Sequence, residues 1–152
     1  MENILKISIK SKFLITGGVI AAATAVWHLL CIVGGPSWYA FARAPGIVIH
    51  SAKQGTLLAP VSTAVIASLM FTCTAYAFSG AGLIKKIPLL KSALATIAGI
   101  CLVRALVTVP YLMSSHLDIW ELVASSGWFF VGVCFLIGAL EQFSANKKDI
   151  TK

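Results

Sequence analysis

Arg104 lies near the middle of a long apolar run, Ile87 to Met113, and any chemistry in this 152-residue chain must be arranged around its guanidinium. An arginine at the centre of a membrane span costs at least about 2.5–3.5 kcal/mol unless it meets water, an acid or backbone carbonyls. It is therefore expected to face its neighbours. At ~1.5 Å per residue, Arg104 sits roughly 13 Å below an outer end at Met113, farther than its side chain can snorkel. Glu121, at the top of the next apolar run, is the acid within reach, whereas Glu141 belongs to the opposite end. His28 lies two helical turns before Gly35 and shares the outer half with Arg104. Together with Thr108, Tyr111, Tyr39 and Glu121 these residues are candidates to line one outward-facing pocket, with Arg43, His50 and Lys53 at its rim. Such a pocket is cationic and amphipathic. It suits an anionic lipid headgroup, a polyprenyl phosphate or a quinone-like ring. The plainer alternative is that Arg104 and Glu121 only lock one helix to the next and that His28 is a satisfied core histidine.

Other chemistries find less support. Cys31, Cys73, Cys101 and Cys134 fall one per apolar run at differing depths and form no C-x-x-C pair, so they read as small buried hydrophobes and not as a dithiol. His28, His50 and His116 are scattered, and no metal set is expected. HExxH, Walker and G-x-S-x-G patterns are missing, as are paired carboxylates inside a run. No enzyme signature and no cofactor are read from these residues.

The elements that must position Arg104 follow from composition. The chain is 59% hydrophobic and 11% charged, with mean hydropathy +0.92. Soluble domains carry about 25% charged residues, so this chain has too little polar surface to coat itself in water. Phe13 to Ala42 and Gln54 to Ile84 hold no charged residue, and a third charge-free run lies between Glu121 and Glu141. Each exceeds or nearly matches the roughly 20 residues that cross a bilayer as a helix. They lack the alternation of a spanning strand. The expected fold is all-α: one membrane domain over 1–152, a four-transmembrane-helix bundle with spans near 13–35, 56–78, 88–113 and 120–140.

The net charge of +7 does not point to nucleic acid. Lys6, Lys10, Lys12, Lys85, Lys86, Lys91, Lys147, Lys148 and Lys152 all fall on one side of the four expected spans. The positive-inside rule makes that side cytoplasmic and puts both termini there. The first run is too long for the usual signal-peptide core of about 7–15 residues and is read as retained.

Gly34, Gly35 and Pro36 are expected to stop the first span. In the loop that follows, Trp38, Tyr39 and Phe41 suit the headgroup boundary. Gly46 to Gln54 reads as a short helix with His50, Lys53 and Gln54 on one face. Gly17, Ala21 and Ala25 form a small-residue stripe on the first span. Ala59, Thr63 and Ala67, and Ala64, Ser68 and Thr72, do the same on the second, so these two spans are expected to pack together. Gly80 is the expected cap of the second helix and Pro88 the expected start of the third. Asp118 is placed to cap the fourth, and Glu141 to open a frayed polar tail.

The segments Gly34-Gly35-Pro36-Ser37-Trp38-Tyr39, Ala77-Phe78-Ser79-Gly80-Ala81-Gly82-Leu83-Ile84 and Ile87-Pro88-Leu89-Leu90 resemble a group of small bacterial inner-membrane proteins without assigned function. The layout is also similar to DoxX-like four-helix membrane proteins. The resemblance implies a bacterial cytoplasmic membrane location and transfers no catalytic motif. Three readings stay open: a binder of lipid or a small amphiphile around Arg104, an accessory subunit of a larger membrane complex, and a small transporter working as a homodimer. The partners expected are membrane lipids and, in the second and third readings, other protein chains.

Overall fold

Five helices and no strand make up the described residues of the computed structural model, which are 9–106 and 119–150. They are α1 (Ile9–Phe41), α2 (Gly46–Gln54), α3 (Leu58–Gly80), α4 (Leu90–Leu106) and α5 (Ile119–Ile150). Three of these are long and apolar enough to cross a membrane, over Ser11–Phe41, Leu58–Gly80 and Ile119–Ser144. The third expected span is described only through Leu106, where α4 has 17 residues. Asp118 and the outer end of that span lie outside the described residues.

The side-chain distribution suits lipid. Along α3 the buried positions are small (Ala59, Thr63, Ala67, Thr74 and Ala77), while Val61, Val65, Ile66, Leu69 and Phe71 point outward. Helices in water show the reverse, a large apolar stripe turned inward. In hydrocarbon, where lipid tails are as apolar as leucine, small residues turn inward because they let backbones approach.

The described residues fall into two compact units. The first comprises the chain up to Ile20 and from Cys73 onward. There α4 packs against α5, and the buried residues of α4, Leu90, Leu94, Ala98, Cys101 and Ala105, form a single stripe at helical spacing. Leu14 of α1 is fully buried in the same core, with Ala77, Val131, Phe135 and Ala139. Its isobutyl group fills a notch made by two glycines. A Cβ on Gly138 would lie 2.3 Å from it, and one on Gly80 2.9 Å. The adjacent glycines of α1 face different partners: Gly18 abuts Ala77 and Phe78 of α3, and Gly17 abuts Cys134 and Phe135 of α5. The Thr74 hydroxyl donates to the Gly18 carbonyl at 3.0 Å, a buried interhelical bond. Gln142 Nε2 donates to the Gly80 carbonyl at 3.0 Å.

The second unit is Ala21–Thr72. Cys31 and Tyr39 of α1 and Ala59 of α3 form its core, with Val48, Ile49 and Ala52 of α2 against them. Buried Ser51 organises the α2–α3 connection. Its Oγ accepts from the Ala59 N–H at 2.9 Å and lies 2.6 Å from Thr56 Oγ1. Of the small-residue stripes on α3, Ala59, Thr63 and Ala67 are buried. Ala64, Ser68 and Thr72 instead line a shallow outward groove of about 370 Å³.

Several local expectations need correction. The break expected at Gly34–Pro36 is a kink, with Gly35 at φ 68°, ψ −155°, after which Pro36 to Phe41 resume helical structure. Only glycine enters that backbone region readily. The cap of α3 is Gly82, not Gly80: Gly82 has φ 79°, the Leu83 N–H reaches the Phe78 carbonyl and the Gly82 N–H the Ser79 carbonyl. This is the bonding of a Schellman cap. Gly80 is kept small by Leu14 and Leu94 instead. α4 begins at Leu90, two residues past Pro88, with Leu89 at φ 59°. α5 continues beyond Glu141 to Ile150, since nothing from Glu141 to Ile150 is Gly or Pro and most of it has adequate helix propensity.

Candidate functional site

The site grows out of the α4–α5 pair. Cys101 and Ala105 turn toward the core, and Arg104, between them in the last described turn of α4, is carried to the edge of the contact. Gly132 of α5 draws the helices together here, because a Cβ at that position would meet Leu102 at 2.9 Å. The result sets Arg104 Nη2 3.8 Å from Glu121 Oε2, with the two side chains 41% and 49% exposed. At that separation the contact is ionic and not a direct hydrogen bond, which ends near 3.2 Å for N–H···O. An exposed pair in water contributes about 0–1 kcal/mol, so its contribution to the fold is small.

Glu121 is in the first turn of α5. The guanidinium is therefore level with the start of that helix. Below the guanidinium, Arg104, Val103, Ile100, Gly99 and Thr96 line a shallow groove of about 550 Å³ on the outward face of α4. Gly99 forms part of its floor, with open space where a side chain would stand. The lining is almost wholly apolar, with the charge at one end.

The other candidates belong to the second unit. His28 is half-buried, and its Nδ1 lies 2.8 Å from the Thr24 carbonyl. A carbonyl only accepts, so Nδ1 donates in this contact. Tyr39 is 4% exposed and its hydroxyl has no hydrogen-bond partner among the described residues. Arg43 is exposed in the α1–α2 turn at φ 52°. His50, Lys53 and Gln54 are all exposed on α2, whose face toward the core carries Ser51. Tyr111 and Thr108 lie outside the described residues. Arg104 and Glu121 are thus the predicted site residues that the structure brings together within one unit.

Trp27 stacks near Trp38 and Phe41, with ring centroids 5.5 and 6.1 Å apart. The Trp38 indole covers Gly34, where a Cβ would fall 2.1 Å from it. At these separations the rings fill each other's space, so they brace the kink and form no open cage. All four cysteines are unpaired, and Cys31, Cys101 and Cys134 are buried. Among the described residues no three His, Cys, Asp or Glu side chains converge as metal ligands. Reasoning from sequence missed the Gly99 groove and the serine anchors Ser51 and Ser79, the latter accepting from the Ile87 N–H at 2.9 Å. Gly99 could have been found as the glycine five residues before Arg104.

Comparison with protein families, curated proteins and solved structures yields no match to this chain.

Proposed function

We propose that this chain is a multi-pass protein of a bacterial cytoplasmic membrane that holds a lipid or small amphiphile at an outward-facing site around Arg104. α4 supplies a fourth span to the three long apolar helices, both termini are cytoplasmic, and the layout is similar to that of DoxX-like four-helix membrane proteins. One observation carries the binding reading: a half-exposed guanidinium stands at the end of an apolar groove, level with the first turn of a membrane-length helix. A headgroup at the arginine and an acyl chain against Ile100 and Val103 use both features. No nucleophile, metal set or acid–base pair is needed for such a role, and none is assigned.

Native mass spectrometry of gently extracted protein tests this. Arg104→Leu is expected to lose the co-purifying amphiphile while inserting normally, and an unchanged bound species would end the reading. A second reading, a subunit docked in a larger membrane complex, draws on the outward Ala64, Ser68 and Thr72 groove of α3. Crosslinking in intact membranes that recovers only the single chain speaks against it.

A further inference from the structure

We infer that the connector between α3 and α4 is a docking surface for anionic phospholipid of the cytoplasmic leaflet, with Lys85 and Lys86 on the phosphates and Leu83, Ile84 and Leu89 against the acyl chains. The inference rests on the four-span layout proposed above, which brings this connector to the cytoplasmic side, and does not involve Arg104. The whole connector lies within the first unit. Its backbone is held from α3. The Schellman cap at Gly82 turns the chain out of the helix. The Ser79 hydroxyl then donates to the Lys85 carbonyl at 3.1 Å and accepts from the Ile87 N–H at 2.9 Å.

That fixed backbone presents charge and apolar surface together. Lys85 and Lys86 are exposed, and so are Leu83, Ile84 and Leu89, the last to 77%. Leu89 also stands at φ 59°, a left-handed conformation that glycine adopts freely and leucine only under strain. Strain at a bulky side chain that buries little within the protein points to a use outside the fold. The charge names that use. The connector contains no acid, and neither Lys85 nor Lys86 forms an ion pair among the described residues. The two tails expected on the same side carry six lysines against Glu2, Glu141 and Asp149, so this side stays basic however those acids pair. Lysine stems lie along apolar surface while their ammonium groups reach outward to phosphates, and the cytoplasmic leaflet attracts each such lysine through its anionic headgroups. A soluble anion would meet the lysines and leave the three apolar side chains in water, so the source is the bilayer.

The test uses the full chain in nanodiscs of phosphatidylcholine with a minor fraction of phosphatidylglycerol, followed by release and native mass spectrometry. Wild type is expected to retain phosphatidylglycerol at about twentyfold its bulk ratio to phosphatidylcholine. Lys85→Gln and Lys86→Gln should each lose about fivefold of that preference, the attraction of one surface lysine. The double glutamine variant should retain the two lipids near their bulk ratio. Lys85→Arg with Lys86→Arg keeps the charge and should keep the preference, which separates charge from folding. Leu89→Gly should leave the ratio unchanged while the total lipid retained falls about tenfold. Arg104→Leu should leave the lysine-dependent preference intact, so failure of the Arg104 site and failure of this one are told apart. A wild-type ratio equal to bulk, a double glutamine variant with the wild-type preference, or Leu89→Gly retaining as much lipid as wild type would overturn the docking surface. Lys86→Cys is expected to react with a membrane-impermeant maleimide above the wild-type background only in inverted vesicles; reaction from the outer side would refute the four-span layout and this inference with it.

Discussion

Gly138→Ala should destabilise this protein by wedging a methyl group into a filled notch. The new Cβ would lie 2.3, 2.4 and 2.6 Å from Leu14 Cδ2, Cγ and Cδ1, against the 3.5–4.0 Å of a relaxed carbon contact. Leu14 must therefore retreat by about 1 Å or more. It is fully buried and the Gly80 backbone closes its other side, so it has nowhere to go. Overpacking of this kind costs about 1–3 kcal/mol. Leu14→Ala creates the opposite defect. In an aqueous protein a buried Leu→Ala change costs about 2.7–5.0 kcal/mol, part of it transfer from water. Within a bilayer that part largely vanishes, leaving lost packing, about 1–3 kcal/mol. Combined, the two changes should compensate, because the alanine methyl at 138 enters the space the leucine vacates. The double variant should be more stable than the sum of the single effects by at least ~1 kcal/mol. Unfolding by sodium dodecyl sulfate in mixed micelles, followed by tryptophan fluorescence, reads all three, since Trp128 packs against this core. Strict additivity would show that Leu14 does not occupy the Gly138 notch, and the helix packing described above would be wrong.

Two backbone predictions carry opposite signs. Gly35→Ala meets no atom within 4 Å, yet it places a Cβ at φ 68°, ψ −155°, so it should destabilise the kink by about 1–3 kcal/mol; thermal unfolding in detergent unchanged from wild type would contradict this. Leu89→Gly should stabilise by up to about 1 kcal/mol, because Leu89 sits at φ 59° just before α4 and is 77% exposed. A loss of stability in the same unfolding assay would show that its side chain makes a contact worth more than the strain.

Much of this protein is legible from one line of letters, for a physical reason. Long charge-free runs have few structures available to them in hydrocarbon, so the helices over Phe13 to Ala42 and Gln54 to Ile84 follow almost from composition. Gly46 to Gln54 is bounded by Pro45 and Gly55, and the observed α2 has the expected ends. The partnership of Arg104 with Glu121 was likewise visible, because so few acids exist to choose from.

What the letters left open was which way each helix faces. A run that is apolar all round has no inward face to read, and in lipid the choice is made by fit between neighbouring surfaces, not by hydropathy. Two equivalent stripes on α3 therefore looked alike until Ala59, Thr63 and Ala67 were found buried and Ala64, Ser68 and Thr72 outside. Gly17 and Gly18 are neighbours in sequence but serve different helices, and Gly80 and Gly82 divide packing from capping in a way that only assembled helices reveal. The neighbour that Arg104 meets belongs to the same class. Counting residues along one helix places it relative to that helix alone, whereas the stagger of α4 against α5 places it beside the first turn of its neighbour.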